Sequence, residues 1–399
     1  MTEKSNAVPK TNVVVIGGGY AGVIAANHLR VNGDIAVTLV NPRPRFVERI
    51  RLHQLVTGSD DAVVEFGDVL GADVRLVVDS AHRIDAAAQR VELASGDMLD
   101  YDYLIYAVGS TGASLTVPGA AEFAYPIAEF EHGEPLRAAM ADVRRGDPIT
   151  VVGAGPTGIE TAAELGEEGH AVTLVCGGVL GPYLSAPARK SVARRMRKLG
   201  VTVVDGPDAK VGEVRERSVV LADGRELSST LTIWTAGFGV PDLAARSGLA
   251  TDALGRLLTD ETLTSIDSPR IVAAGDAAAP SNSPLRMSCQ AAIPLGAQAA
   301  NTVLSRIAGT EPTPINQAFT GQCISLGRKA GTIQVAHLDD RVTPLYIGGR
   351  AAATIKEAVC KGTITFLSRE ARKPGSYFWL KGGKRAERLA LDDHDAPVS

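Results

Sequence analysis

An α/β fold with two parallel-sheet nucleotide-binding units is predicted by three features of this 399-residue sequence. A glycine motif occurs twice, as Gly17-Gly18-Gly19-Tyr20-Ala21-Gly22 and as Gly153-Ala154-Gly155-Pro156-Thr157-Gly158. Each copy follows a short apolar strand, Val13–Ile16 or Ile149–Val152, and opens a helical run rich in Ala, Leu and Glu. Each half then closes on an apolar strand that runs into glycine, at Tyr101–Gly109 and at Leu231–Gly237. In G-x-G-x-x-G the first glycine makes a tight turn and the second lets a pyrophosphate approach the backbone. The third lets helix and strand pack closely, with the anion at the helix N-terminus. Two such units imply two dinucleotides, most economically a flavin and a nicotinamide.

The elements follow in order. Strand 12–16, helix 21–31 and strand 36–40 begin the first βαβ unit, and Asn41 to Phe46, rich in Pro and Arg, reads as an ordered loop near the ligand. Residues 69–95 alternate apolar and polar as short strands do, with a turn at Gly96-Asp97. Pro118-Gly119 marks a crossover into the second unit. There the second strand is Ala171–Val175, with further strand signals at 201–204 and 219–221. Arg270 to Asp276 is another buried strand, running into an acid. From Phe319 onward come strand-like pieces, a helix at 351–360 and a polar tail whose last residues, 392–399, read as disordered.

Composition bounds the rest. With 45% hydrophobic and 22% charged residues the chain is an ordinary globular protein of two or three domains. The net charge of −4 is uneven: between Arg341 and Ala390 stand eleven Lys/Arg against three Asp/Glu. That basic segment suits an anionic surface or an ordinary solvated face, and no nucleic-acid motif accompanies it. Cys176, Cys289, Cys323 and Cys360 show no metal-site or local disulfide spacing, so no metal is expected. The polar stretch Met1–Lys10 has no signal-peptide core, and no apolar run is long enough to span a bilayer. The expectation is a cytoplasmic protein whose membrane contact, at the inner face, is peripheral.

The ordered set of the first G-x-G-x-x-G, Tyr101-Asp102-Tyr103-Leu104-Ile105, the second G-x-G-x-x-G with Glu160, Trp234-Thr235-Ala236-Gly237 and Ala274-Gly275-Asp276 resembles the pyridine nucleotide-disulfide oxidoreductase superfamily. Leu52-His53-Gln54-Leu55-Val56-Thr57-Gly58 is similar to a segment of the type II NADH dehydrogenases, and the chain also resembles the ferroptosis-suppressor and apoptosis-inducing-factor-like reductases. The resemblance implies two Rossmann-like domains, a discontinuous FAD domain at 1–117 and 241–318 and an NAD(P)H domain inserted at 118–240. A smaller C-terminal α+β region with a basic tail would occupy 319–399.

It also implies roles. Gly17, Gly18, Gly19, Tyr20, Ala21 and Gly22 would cradle the FAD pyrophosphate, and Asn41 would meet the ribose where a carboxylate is usual. Arg51 and Gln54 would face flavin or pyrophosphate, Ala81 the adenine, and Asp276 the ribitol, with Gly109 closing the site. Gly153, Gly155, Pro156, Thr157 and Gly158 would hold the nicotinamide dinucleotide, with Glu160 near its reacting ring and Gly237 closing. Cys176 stands where NADH sites carry an acid and NADPH sites an Arg nearby, so cofactor choice is open. Hydride would pass from nicotinamide C4 to flavin N5, with no amino-acid base required. The absence of Cys between Asn41 and Asp68 argues against disulfide-reductase chemistry. Electrons would leave to a small acceptor such as a quinone, bound near Gln290, Ala291, Ile293 and Pro294, although Pro294 and Leu295 replace a polar pair there. A protein acceptor such as a ferredoxin or rubredoxin, and a redox-sensing role, are the competing readings.

Overall fold

A computed structural model describes residues 10–395. Residues 1–9 and 396–399, expected to be most of a polar stretch without a signal-peptide core and the end of a disordered tail, lie outside the described residues; 392–395, expected to be disordered, close a helix over Arg385–Asp395.

In chain order the main strands are β1 (Thr11–Ile16), β2 (Ile35–Asn41), β3 (Arg75–Val78), β4 (Tyr103–Tyr106), β5 (Ala124–Pro126), β6 (Pro148–Val152), β7 (Ala171–Val175), β8 (Thr202–Val204), β9 (Leu231–Trp234) and β10 (Ile271–Ala273). Helices α1 (Tyr20–Leu29) and α2 (Pro156–Glu167) leave the two glycine motifs. The first sheet runs β10-β4-β1-β2-β3 and the second β5-β9-β6-β7-β8, every pairing parallel. Central parallel strands are covered on both faces, and Val13–Ile16 and Ile149–Val152 are accordingly buried runs rather than alternating ones. Each unit also carries a three-stranded antiparallel flap, at 81–100 in the first and 211–228 in the second, so the alternation read in the sequence belongs to a satellite sheet.

The first unit is the more enclosed. Every residue of α1 is buried. A long helix, α3 (Cys289–Ile307), lies so close that a Cβ at Gly296 would strike the Ala21 carbonyl. The C-terminal region adds an antiparallel meander, β11 (Gly321–Ser325), β12 (Gly331–Ala336) and β13 (Val342–Gly348), and then α4 (Gly349–Arg372). The sequence pattern predicts that α4 ends at 360; it runs twelve residues further. Gly362 weakens the local propensity, but Ala352, Cys360, Thr363, Leu367 and Ala371 recur at helical spacing and are buried. Its end is pinned from inside. The Glu370 carboxylate, fully buried, accepts from His28 Nδ1 (2.7 Å) and from the Gly375 and Tyr377 amides (2.6 and 2.7 Å), tying α4 to α1. Burial opposes that charge, yet the His28 ring and the two amides hold the carboxyl below the usual glutamate range.

Candidate functional site

The two glycine turns are built alike. Gly17 and Gly153 take φ of 104° and 112°, and a Cβ on either would press into the returning chain, at Ala107 or at Thr235 and Ala236. A Cβ at Gly22 or Gly158 would strike the carbonyl of its own first glycine. At Gly19 and Gly155 the space is open: nothing lies within 4 Å of an added Cβ. Neither helix has a side-chain cap or an acid in its first turn, so the exposed N–H groups and the positive end of the dipole face that space. Both cradles therefore fit a pyrophosphate.

Around the first cradle, Asn41 is buried and committed. Its Oδ1 accepts from the Gly18 amide (2.9 Å) and its Nδ2 donates to the Arg43 carbonyl (2.8 Å). Asp276 sits in a tight turn at 275–277 and accepts from Ser110 Oγ (2.7 Å). Arg49 in turn donates to the Ser110 carbonyl and hydroxyl (2.7 and 2.8 Å). Arg49 and Ser110 were not singled out in the sequence, because nothing in a lone Arg and Ser marks them as neighbours of Asp276. Arg51 and Gln54 are bound to each other (2.9 Å), and Arg51 also pairs with Glu357 of α4 (3.1 Å). Ala81 opens the first flap, its carbonyl accepting from Arg246 (3.1 Å), while Gly109 ends the β4 return with φ of 72°. The Tyr20 hydroxyl is buried with no hydrogen-bond partner.

Around the second cradle, Pro156 occupies the first helical turn, the Thr157 carbonyl accepts from Thr161 (2.8 Å), and Thr235 Oγ1 donates to the Val152 carbonyl (2.8 Å). Gly237 takes φ of 84° beside Ala113. Cys176 follows β7, half-buried; burial, with the Asp205 charge adding, pushes its thiol up to about 12.

Where α2 meets the C-terminal region lies a buried charged cluster. Glu160 accepts from Lys356 Nζ (3.1 Å) and from the Ser325 amide (2.9 Å), and His53 Nδ1 stands 3.7 Å from its other oxygen. His53 Nε2 faces Glu164 at 3.8 Å, and Glu164 reaches the half-exposed Arg328 at 3.4 Å. Burial alone would neutralise all three central groups. It does so for His53, whose pKa falls despite Glu160 and Glu164. For Glu160 and Lys356 mutual attraction outweighs burial: the carboxyl is held below its usual range and the ammonium above its own. Lys356 went unread in the sequence, although its spacing of four from Ala352 and Cys360 places a lysine on the buried face of a helix.

The Gln290 amide lies against Thr320 and Gly321, its NH2 oriented to the Gly321 carbonyl (3.0 Å). Ala291, Ile293 and Pro294 are buried on α3. All four cysteines are free, and burial raises the thiols of Cys289, Cys323 and Cys360 too, so each stays protonated and weakly nucleophilic.

The pyridine nucleotide-disulphide oxidoreductase family matches residues 11–296. An NADH dehydrogenase-like protein of Mycobacterium tuberculosis is 32% identical over 326 residues, covering 74% of this chain and 80% of its own length. A type II NADH:quinone oxidoreductase of the same organism is 26% identical over 349 residues, covering 75% of this chain and 73% of its own length. Among solved structures, the sulfide:quinone oxidoreductase of Aquifex aeolicus shares the fold with a TM-score of 0.78 at 19% identity, covering 98% of this chain and 96% of its own.

Proposed function

The chain belongs to the pyridine nucleotide-disulphide oxidoreductase family, and from that premise we propose that it carries electrons from a nicotinamide to a lipophilic quinone. It is an FAD-dependent NAD(P)H oxidoreductase. FAD, when bound, supplies the two-electron chemistry that amino-acid side chains lack. In this reading Gly17–Gly22, Asn41, Ala81, Gly109 and Asp276 hold FAD, and Gly153–Gly158, Cys176 and Gly237 hold the nicotinamide dinucleotide. Arg49 and Ser110 orient the Asp276 carboxylate. Arg51 and Gln54 brace the site wall through Glu357.

The observation that carries the acceptor assignment is the Lys356–Glu160 pair, its carboxylate buried and its ammonium partly exposed. A quinone takes on negative charge as it gains electrons, and an ammonium kept charged by a carboxylate can donate a hydrogen bond to the quinone oxygen and stabilise that charge. Glu160 keeps Lys356 charged and aimed. His53 and Glu164 stand behind it, with the half-exposed Arg328 beyond. Gln290 and the apolar positions Ala291, Ile293 and Pro294 would line the approach. Support also comes from the outer face of α4, where Ile355, Val359 and Phe366 are exposed on one side of the helix, and from the exposed Phe378 and Leu380 that follow it. No helix among the described residues is long and apolar enough to cross a membrane. We therefore read that face as a peripheral bilayer contact through which a lipophilic acceptor is reached.

The test is an anaerobic titration with NADH, following flavin absorbance, then addition of a soluble quinone. Bleaching and rapid recovery are expected, with Lys356→Met bleaching normally but recovering slowly. Bleaching without recovery in the unaltered protein would point to a protein acceptor instead.

A further inference from the structure

We propose that Asp205 reads the 2′ position of the adenosine ribose and makes the second cradle select NADH over NADPH; the inference rests on nicotinamide binding at Gly153–Gly158. In a dinucleotide-binding unit the adenosine ribose lies over the carboxyl edge of the sheet. The side chain ending the second strand usually supplies the carboxylate that accepts from the 2′ and 3′ hydroxyls and repels a 2′-phosphate. Here that place holds Cys176, a protonated thiol without charge.

The neighbouring strand provides what Cys176 does not. β7 and β8 pair in parallel register with Val175 opposite Val204, so Cys176 and Asp205 are the next pair beyond the ladder. Register partners on adjacent parallel strands point to the same face, with backbones about 4.8 Å apart. The Cys176 amide donates to the Val204 carbonyl (2.9 Å), and the Gly206 amide donates to the Gly178 carbonyl (2.7 Å). These two bonds bind the Cys176–Gly178 loop to the turn that carries Asp205. The carboxylate is exposed, and none of the hydrogen bonds or ion pairs among the described residues uses it. The contrast with the first unit is informative. There the acid after the third strand, Asp79, spends its oxygens on the Ser80 and Ser95 amides (2.6 and 3.3 Å). Nor does the loop offer a free arginine for a 2′-phosphate. Arg189 gives Nε and Nη2 to the carbonyls of Leu180 and Leu184 (2.8 and 3.1 Å).

The experiment is calorimetric binding of ADP-ribose and of 2′-phospho-ADP-ribose to FAD-loaded protein, which needs no turnover. Wild type should bind ADP-ribose tighter by about tenfold or more, as one hydrogen-bonded charge supplies. Asp205→Asn should close most of that gap with an unchanged flavin spectrum. Asp208→Asn, an exposed acid three residues away, should leave it intact. Equal binding of the two ligands by wild type, or a gap that survives in Asp205→Asn, would overturn the role given to Asp205. If neither ligand binds wild type, the nicotinamide site itself is misplaced and this inference falls with it.

Discussion

The two nucleotide-binding units share the order of four of their five strands, glycine geometry and a satellite flap, yet they surround their glycine turns in opposite ways. In the first, α1 is buried along its whole length under α3 and α4, and the ribose-end residue Asn41 is locked to the glycine turn. In the second, the ribose end is a loop of Cys176-Gly177-Gly178 with an exposed acid beside it. In the proposed reading the first unit keeps its dinucleotide and the second exchanges it: a shared motif gives the class of ligand, and the packing around it decides how long the ligand stays.

The strongest way to break this comparison is to spoil each turn separately. Gly17→Val drives a side chain into the Ala107 carbonyl, at a φ that L-residues avoid, and should yield colourless apoprotein or none at all. Gly153→Val makes a similar collision at Thr235 but should keep its flavin, while NADH reduces it at about a hundredth of the normal rate or less. Flavin-to-protein absorbance ratios and stopped-flow reduction separate the two. Equal flavin loss in both variants would mean the units are not functionally distinct.

Next in size is the cluster between the units. Lys356→Met leaves Glu160 buried and unpaired, at a cost of about 3–5 kcal/mol measured by denaturant unfolding. Adding Glu160→Gln to that variant should restore much of the loss. If it restores none, the two side chains are not energetically coupled.

The same cluster sets a pH dependence. His53 has a lowered pKa in the fold, so the unfolded chain binds its proton more readily and stability declines as pH falls below about 6.5. Glu160 is also lowered, and its contribution is lost at still lower pH, as the carboxylate is protonated below its unfolded value of about 4.5. A melting temperature that is flat from pH 7 to 5 in wild type, or that falls equally in His53→Gln, would contradict the first of these.

The smallest effects should come at the ribose ends. Asn41→Asp keeps the acceptor for Gly18 but loses the donor to Arg43, and should weaken flavin retention by about 1 kcal/mol. Cys176→Ser should change stability by no more than about 0.5 kcal/mol and leave flavin content untouched. Dialysis against potassium bromide followed by flavin absorbance would sharpen that difference.

Much of this was legible beforehand because glycine turns and apolar parallel strands are local signals. Gly17, Gly153, Asp276 and the returns at Gly109 and Gly237 announce themselves by spacing. What escaped was assembled from distance. Lys356 reaches Glu160 from the C-terminal region, and Arg49 meets Ser110 only once β4 has returned to the sheet. The tail was misjudged for a related reason: Gly362 and the β-branched residues around it speak against a helix, and only the buried face supplied by α1 and β12 overrides them. Asp205 carries no signal of its own in the sequence, since its interest lies entirely in its neighbour across the ladder.

The discontinuity of the first sheet has a temporal side. The second sheet has all five of its strands once Trp234 has left the ribosome. The first cannot gain its edge strand before Ala273, nor its covering helices before Ile307 and Arg372. The segment synthesised first is therefore the last to be completed, and until then α1 presents an unburied apolar surface next to a finished neighbour. During biosynthesis the inserted unit serves as the scaffold on which the older half waits, and the first glycine cradle is enclosed only when Arg372 has emerged.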